Sequence, residues 1–496
     1  MSIDIHLQNK KDIDQKSLMV YELLMQSFNE CQKYSNAYKN ITGVFFHDLM
    51  RILTALVYKI YEKKNELILQ ELKTKKLNSF PYIDFLDINA NYNNKIIDTS
   101  SIYFNHFEYN WKANILKKII NYCNPDNIKI GLTDTSLNFK TLIKLFWKRG
   151  YNICYPNISS IFIPNYDNQI KILQSYINKI TNSLDFKNPS LIQNIIEKHI
   201  ISFTTNNPKS TLLIDFDLLI VGTTCDIHNR LLAIEANSKS IPVVFVNHGE
   251  ADGLLNEPVH GYGEYSYGNY YLGYGNEKNI SRIKLKNSYL KPLYSYNSYF
   301  SSSSEKIGGI YNKNATIKKI TDFKSPRFMY VPTSLSGFNC YGPYRSLSDC
   351  SYKKWHNNLI KSFPNLIVKV HYKGFKHLEK IEGLIKKRFE LVLDKADVFI
   401  FDYVSTALTI AIATNKPIVF FNLGINNITD EAEIAIRNRC IWIDIEEIND
   451  DNLYSKVLNK ADQKLENTYT EKFCITNTNQ NREEILIDII DSCFNE

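Results

Sequence analysis

No stretch of the 496 residues comes near an unbroken apolar run of roughly 20, the length needed to cross a bilayer. Any membrane contact is therefore expected to be peripheral. The opening segment, MSIDIHLQNKK, is polar and lacks the apolar core of a secretory signal. None of the nine cysteines forms a CxxC pair, and Cys340 and Cys350 have no histidines at zinc-finger spacing. Scattered, unpaired cysteines suit a reducing, cytoplasmic setting. There is no P-loop, HExxH or GxSxG, and no GxGxxG in strand-to-helix context, which removes several common enzyme classes. No basic stripe with interleaved aromatics appears, so nucleic acid is not an expected partner. Alanine is scarce while Asn, Ile, Lys and Tyr abound, a composition we read as codon bias rather than function.

The charge that is present sums to +7 and is spread along the chain. Short basic patches at Lys63-Lys64, Lys73 to Lys76 and Lys386 to Arg388 read first as solvated helix faces. Their other reading is attraction to an anionic acceptor or to the inner membrane surface. A chain this long predicts two or three domains. Residues 1–107 read as a helical extension, because VYELLMQSFNECQKYSNAYKN and FFHDLMRILTALVYKIYEKKNELILQELK carry apolar residues at helical spacing. Over 108–325, short β-branched runs alternate with amphipathic stretches: strands at IKIGLTDT, YNICYP, LLIVGTTCD and IPVVFVNHG, helices at LNFKTLIKLFWKRG, around 167–200, and at HNRLLAIEANSKS. YYLGYGNEKN holds one more candidate strand, and SYNSYFSSSSEKIGG reads as an exposed loop or linker. Over 326–496 the alternation restarts: strands RFMYVPT, LIVKVHY, ADVFIFD, KPIVFFN and CIWIDI, with helices at SYKKWHNNLIKSF, LEKIEGLIKKRF, STALTIAIATN and DEAEIAIRN. The expected fold class is α/β, with two tandem Rossmann-like domains behind a helical front piece.

Chemistry-bearing residues cluster where strands end. ADVFIFD closes on Asp402, and a short turn leads to Ser405 and Thr406 at a helix start, where unpaired N–H groups favour an anion. Taken alone, the pair is equally a helix cap. LIVKVHY places Lys369 and His371 at a strand end, and VPTSLSGF offers Thr333, Ser334, Ser336 and Gly337 to a phosphate. In the first half, VFVNHGEADG supplies His248, Glu250 and Asp252 as candidates to take a proton from an attacking hydroxyl, with His248 ranked first and Glu250 next. Thr223, Thr224 and Asp226, ending the preceding strand, are acceptor-side candidates. TLLIDFD contains Asp215 and Asp217 in the DxD pattern of a metal-dependent transferase, but an apolar strand follows it at once, so no metal site is expected.

The D-Y-V-S-T turn followed by K-P-I-V-F resembles the D-Y-S-S/T turn of the CDP-glycerol glycerophosphotransferases and of bacterial capsule and sialic-acid-type glycosyltransferases of GT-B fold. In those families the turn hydroxyls hold the donor phosphate; Ser405 and Thr406 match, and Val404 stands where a small polar residue is common. Lys369 and His371 match a K-x-H-P segment whose His contacts the nucleotide, with Tyr372 in place of the Pro. VPT resembles the Y-x-P-T opening of the same second domain, and His248-Gly249 an H-G segment whose His is a candidate base. The resemblance implies two domains facing across a cleft, a nucleotide-sugar donor on residues 326–496, and a glycan or lipid-linked glycan acceptor on residues 108–325. It also implies an inverting transfer that needs no cofactor or metal. A CMP-activated nonulosonic acid or Kdo is the favoured donor, with UDP- and GDP-sugars open. A CDP-glycerol or CDP-ribitol phosphotransferase, and a non-catalytic glycan-binding protein, are the alternatives.

Overall fold

The computed structural model describes residues 7–34, 40–62, 127–133, 139–156, 167–184, 214–222, 227–247, 254–255, 267–275, 297–301, 310–332, 349–370, 384–424, 428–447, 452–475 and 480–495, with short pieces near 118, 163–164, 190–205 and 426. In the first half these form α1 (Leu7–Cys31), α2 (Ile41–Glu62), β1 (Lys129–Leu132), α3 (Phe139–Arg149), β2 (Asn152–Cys154), β3 (Ile163–Pro164), α4 (Asp167–Ser183) and β4 (Thr204–Thr205). β5 (Leu218–Val221), α5 (Ile227–Ser238), β6 (Val243–Val246), β7 (Tyr270–Tyr274) and β8 (Asn297–Ser301) follow. All six strands of the main sheet are parallel, in the order β2-β1-β5-β6-β7-β8, while β3 and β4 pair separately.

The two-residue period of each strand sends alternate side chains to opposite faces. Leu219, Val221 and Val243 face a core built with Tyr21, Phe46, Leu173 and Leu231 of α1, α2, α4 and α5. The helical front piece thus shares the core of the first sheet. A buried ion pair ties it down: Arg230 Nη1 of α5 donates to Asp48 Oδ2 of α2 at 2.8 Å, with both side chains almost wholly inaccessible. Leu218, Ile220 and Val244 face the other way, onto Leu142 and Phe146 of α3. α3 stops at Gly150, whose φ of 77° is the left-handed turn that glycine adopts without a Cβ penalty.

The second half contains β9 (Phe328–Tyr330), α6 (Asp349–Ser362), β10 (Ile367–Lys369), β11 (Leu384–Ile385), β12 (Val398–Phe401), α7 (Thr406–Ile412), β13 (Ile418–Asn422), α8 (Asp430–Arg439), β14 (Ile441–Asp444), α9 (Leu453–Asn459), α10 (Thr468–Phe473) and α11 (Arg482–Asn495). Its sheet is again six-stranded and parallel, in the order β11-β10-β9-β12-β13-β14. In chain order that is third, second, first, fourth, fifth, sixth, the order of doubly wound nucleotide-binding sheets. The fold is therefore α/β with two tandem Rossmann-type sheets and N-terminal helices.

Two sequence expectations are corrected. The loop expected at SYNSYFSSSSEKIGG contributes β8, an edge strand paired in register with β7 from Tyr270↔Asn297 to Tyr274↔Ser301. The helix expected at LEKIEGLIKKRF lies outside the described residues over 378–383, and its later part yields β11, paired to β10 at Val368↔Leu384 and Lys369↔Ile385. Both are edges, where one open flank lets polar and charged residues stay in water, so neither shows the apolar run of a central strand.

The halves repeat one device at the amino edge of their sheets. The Lys129 N–H donates to Asp217 Oδ2 (2.8 Å) and the Asp217 N–H to the Lys129 carbonyl (2.8 Å). In the second sheet the Arg327 N–H donates to Asp397 Oδ2 (3.0 Å) and the Asp397 N–H to the Arg327 carbonyl (2.8 Å). Each reciprocal pair locks the first strand of its sheet to the neighbour across the crossing point.

Candidate functional site

In parallel sheets ligands settle beyond the carboxyl ends of the strands, where the strand order reverses. In the second sheet that point lies between β9 and β12, which pair directly from Val398↔Phe328 to Ile400↔Tyr330. β9 runs out through Val331 and Pro332 toward Thr333, and β12 runs out through Asp402 toward Ser405. The Val331 N–H donates to the Ile400 carbonyl at 2.9 Å, so the two exits start side by side.

Asp402 is 2 % exposed, and its Oδ2 accepts from the Trp355 Nε1–H at 2.8 Å and from the Tyr330 hydroxyl. Asp402 was expected to contact a donor; in the structure its Oδ2 accepts from two side chains of the same half. Alternation puts Asp402 on the Ile400 face of the sheet, under α6, and its Oδ2 joins β9, β12 and α6. Val404 is wholly buried in the core of the opposite face, and its N–H donates to Asn426 Oδ1 at 3.0 Å. The turn is thus pegged by an apolar residue. Ser405 is the N-cap of α7, its Oγ accepting from the Leu408 N–H at 3.3 Å, and Thr406 is the first helical residue.

Lys369 ends β10, next to β9 on the far side from β12. Its Nζ turns back to donate to the Val370 carbonyl at 2.9 Å, and burial holds its pKa below the ordinary lysine value against the opposing pull of Glu390. His371, Thr333, Ser334, Ser336, Gly337, Thr223, Thr224, Asp226, His248, Glu250 and Asp252 lie outside the described residues. The strands they follow are described: β10 before His371, β9 before Thr333, β5 before Thr223 and β6 before His248.

In the first sheet the strand order reverses between β1 and β5. Thr133 closes this crossing. The Thr133 N–H donates to the Ile220 carbonyl (3.0 Å), and its Oγ1 accepts from the Gly222 N–H (3.3 Å). Sequence reading passed over Thr133, although a hydroxyl directly after an apolar strand is a visible signal. Tyr330, Trp355 and Asn426 were missed as well, because nothing in their local sequence reveals a partner 22 to 72 residues away.

Residues beyond β6 and beyond β13 meet at a seam. The segment after β6 reaches Leu254 and Leu255; the segment after β13 reaches Ile428 and Thr429. Leu255 and Ile428 form an antiparallel bridge, and the Thr429 N–H donates to the Leu254 carbonyl at 2.9 Å. Leu254 is 1 % exposed and belongs to the same core as Val404, Leu408 and Ile428 of the second half. Thus Leu254, beyond β6 in the chain, is buried on the second half in the core that also holds Val404 and Leu408 on either side of Ser405.

The DxD reading finds no support in the placement of its residues. Asp215 pairs with Lys129 Nζ at 2.6 Å and Asp217 with the Lys129 N–H, at the amino edge and therefore at the wrong end of the sheet. A cavity of ≈ 410 Å³ also lies at an amino edge, lined by Tyr311, Asn312, Asp394, Asn415, Lys416 and Asn467 ahead of β12 and β13. It lies at the opposite end of β12 from the Ser405 turn. Among the described residues no helix is long and apolar enough to cross a membrane.

No known family profile matches the sequence, and no curated protein matches it. Solved structures do resemble it. One is a co-structure of S. aureus MnaA with UDP (10 % identity, covering 73 % of this chain and 88 % of that one, TM-score 0.35). Another is MurG of Acinetobacter baumannii (9 % identity, 77 % and 97 % covered, TM-score 0.31). A third is the glycotransferase of kitacinnamycin (10 % identity, 76 % and 90 % covered, TM-score 0.29). Likeness at this level carries no argument about chemistry.

Proposed function

We propose that the chain is a nucleotide-sugar-dependent glycosyltransferase of GT-B type. The donor sits on the second sheet and a glycan acceptor on the first. The observation that carries this reading is the seam, where loops from the carboxyl edges of two nucleotide-type sheets meet beside the Ser405 turn. A transfer between two bound substrates needs that juxtaposition, because reacting atoms must be held within about 3–3.5 Å of each other.

In this reading the donor phosphate lies beyond β9 and β12, against the Ser405 and Thr406 hydroxyls and the residues Thr333, Ser334, Ser336 and Gly337. His371 and Lys369 line it from the β10 side. Asp402 holds the turn in place without touching the ligand. The acceptor hydroxyl attacks the anomeric carbon while a base on the segment after β6 takes its proton; His248 is assigned this role, with Glu250 and Asp252 beside it. The C–O bond to phosphate breaks as the new glycosidic bond forms, the configuration inverts, and the nucleotide leaves with its negative charge stabilised at the turn. Thr223, Thr224 and Asp226 contact the acceptor. A CMP-activated acidic sugar is the donor we favour, since its leaving group is a monophosphate that a single turn and one histidine can serve. The acceptor is a surface glycan, free or lipid-linked, met in the cytoplasm or at the inner membrane face. No metal or cofactor takes part.

Incubating the protein with CMP-, UDP- and GDP-sugars and an acceptor glycan tests this. Nucleotide release that needs the acceptor, survives EDTA and leaves no phosphorus in the product is expected. Phosphorus in the product would instead select a polyol-phosphate transfer from CDP-glycerol or CDP-ribitol. No release with any donor would select a glycan-binding protein.

A further inference from the structure

The chain completes the second half and then returns: α11 lays Leu486, Ile489 and Ile490 on the first sheet, against the core of Leu142, Phe146 and Ile220. Its first residue, Arg482, carries a cation to the carboxyl edge of that sheet and is 7 % exposed. Arg482 Nη2 donates to the Asn247 carbonyl at 2.8 Å and to the Leu272 carbonyl at 3.3 Å. Nη1 donates to the Tyr274 hydroxyl, and the guanidinium lies 3.8 Å from the centre of the Tyr274 ring. Asn247 is fixed from two further sides, its N–H donating to the Leu272 carbonyl (3.0 Å) and its Nδ2 to the Tyr271 hydroxyl (2.8 Å).

We propose that Arg482 is a positioning residue for the acceptor-side segment that begins at His248. The carbonyl it grips belongs to the peptide bond joining Asn247 to His248. The residues on either side of that segment are both fixed, Asn247 by a guanidinium from the last helix and Leu254 by the Thr429 N–H. A planar fork that bonds the carbonyl just past β6 and a carbonyl within the adjacent β7 fixes direction as well as distance, which an ammonium cannot do. Arg482 touches no reacting atom; it acts by aiming the chain beyond Asn247. The proposal rests on the transferase reading for its kinetic consequence, but not for its structural one.

The test compares the full chain with its Arg482→Lys and Tyr274→Phe variants. Hydrogen exchange is read first. Peptides covering 243–255 are expected to exchange faster in both variants, while those covering 7–34 and 441–447 stay unchanged. Unchanged exchange over 243–255 in both variants overturns the proposal whatever the activity. Kinetics are read next. In Arg482→Lys we expect kcat to fall about tenfold or more, the order that misplacing a reacting group costs, with donor KM within about twofold. Tyr274→Phe, which keeps the cation and loses one acceptor, is expected to fall between that variant and the native protein. A parallel loss of donor affinity, or full turnover in Arg482→Lys, contradicts the positioning role. If the native protein itself releases no nucleotide, the transferase reading fails, and hydrogen exchange still decides what Arg482 does.

Discussion

At the scale of single residues, Ser405 has two duties that one substitution can separate. Aspartate caps a helix about as well as serine, but its charge would repel a phosphate. Ser405→Asp is therefore expected to melt within a degree or so of the native protein and to lose the thermal shift given by a donor nucleotide. Ser405→Ala is expected to cost about 1 kcal/mol through the lost cap. A Ser405→Asp variant that binds nucleotide normally would show that the hydroxyl only caps. Ser405 was legible in the sequence because an apolar strand, a short turn and a hydroxyl before a helix are all local. For Asp402 the same local pattern does not say which way a strand-end carboxylate points. The direction follows from alternation: Val398 and Ile400 share one face, and Asp402 continues it beneath Trp355.

At the scale of elements, the amino-edge staples and the front helices carry much of the restraint. Arg327 forks onto Asp397 through Nε (3.0 Å) and Nη2 (2.9 Å), and these bonds hold the Asp397 pKa below the ordinary carboxylate range. A carboxylate depressed in the folded state contributes stability above its unfolded pKa and loses it as pH falls through the folded value. Asp397→Asn is thus expected to melt below the native protein at neutral pH, with the gap closing as the solution falls below about pH 4. A gap independent of pH would mean that packing, not charge, is at stake. For the front helices, Asp48→Ala strands Arg230 without its buried carboxylate and is expected to cost about 3–5 kcal/mol in denaturant titrations. A loss below about 1 kcal/mol would fit only a pair that water already reaches. Helices with a clear apolar stripe and central strands with β-branched runs could be read from sequence. β8 and β11 could not, since an edge strand needs only one bonded neighbour and tolerates the Asn, Ser and Lys that otherwise signal loops.

At the scale of the whole molecule, the account depends on how the halves join, and no periodicity in the sequence carries that. The alternation of strands and helices announced two sheets. It did not announce that α11 crosses back to the first, or that Leu254 is buried in the second. Leu254→Ala should loosen the seam at a cost of about 2–5 kcal/mol, if that core relaxes as buried leucine sites do. We expect it to lower kcat while leaving nucleotide affinity within about twofold, because the Ser405 turn keeps its own anchors, Val404 and Asp402. The most direct test of the central claim is hydrogen exchange of the full chain with and without nucleotide, mapped by peptide. Protection is expected at the carboxyl edge of the second sheet, over 329–337, 367–372 and 401–408. Protection confined to the amino edge, over 311–315 and 414–416 around the cavity there, would contradict it.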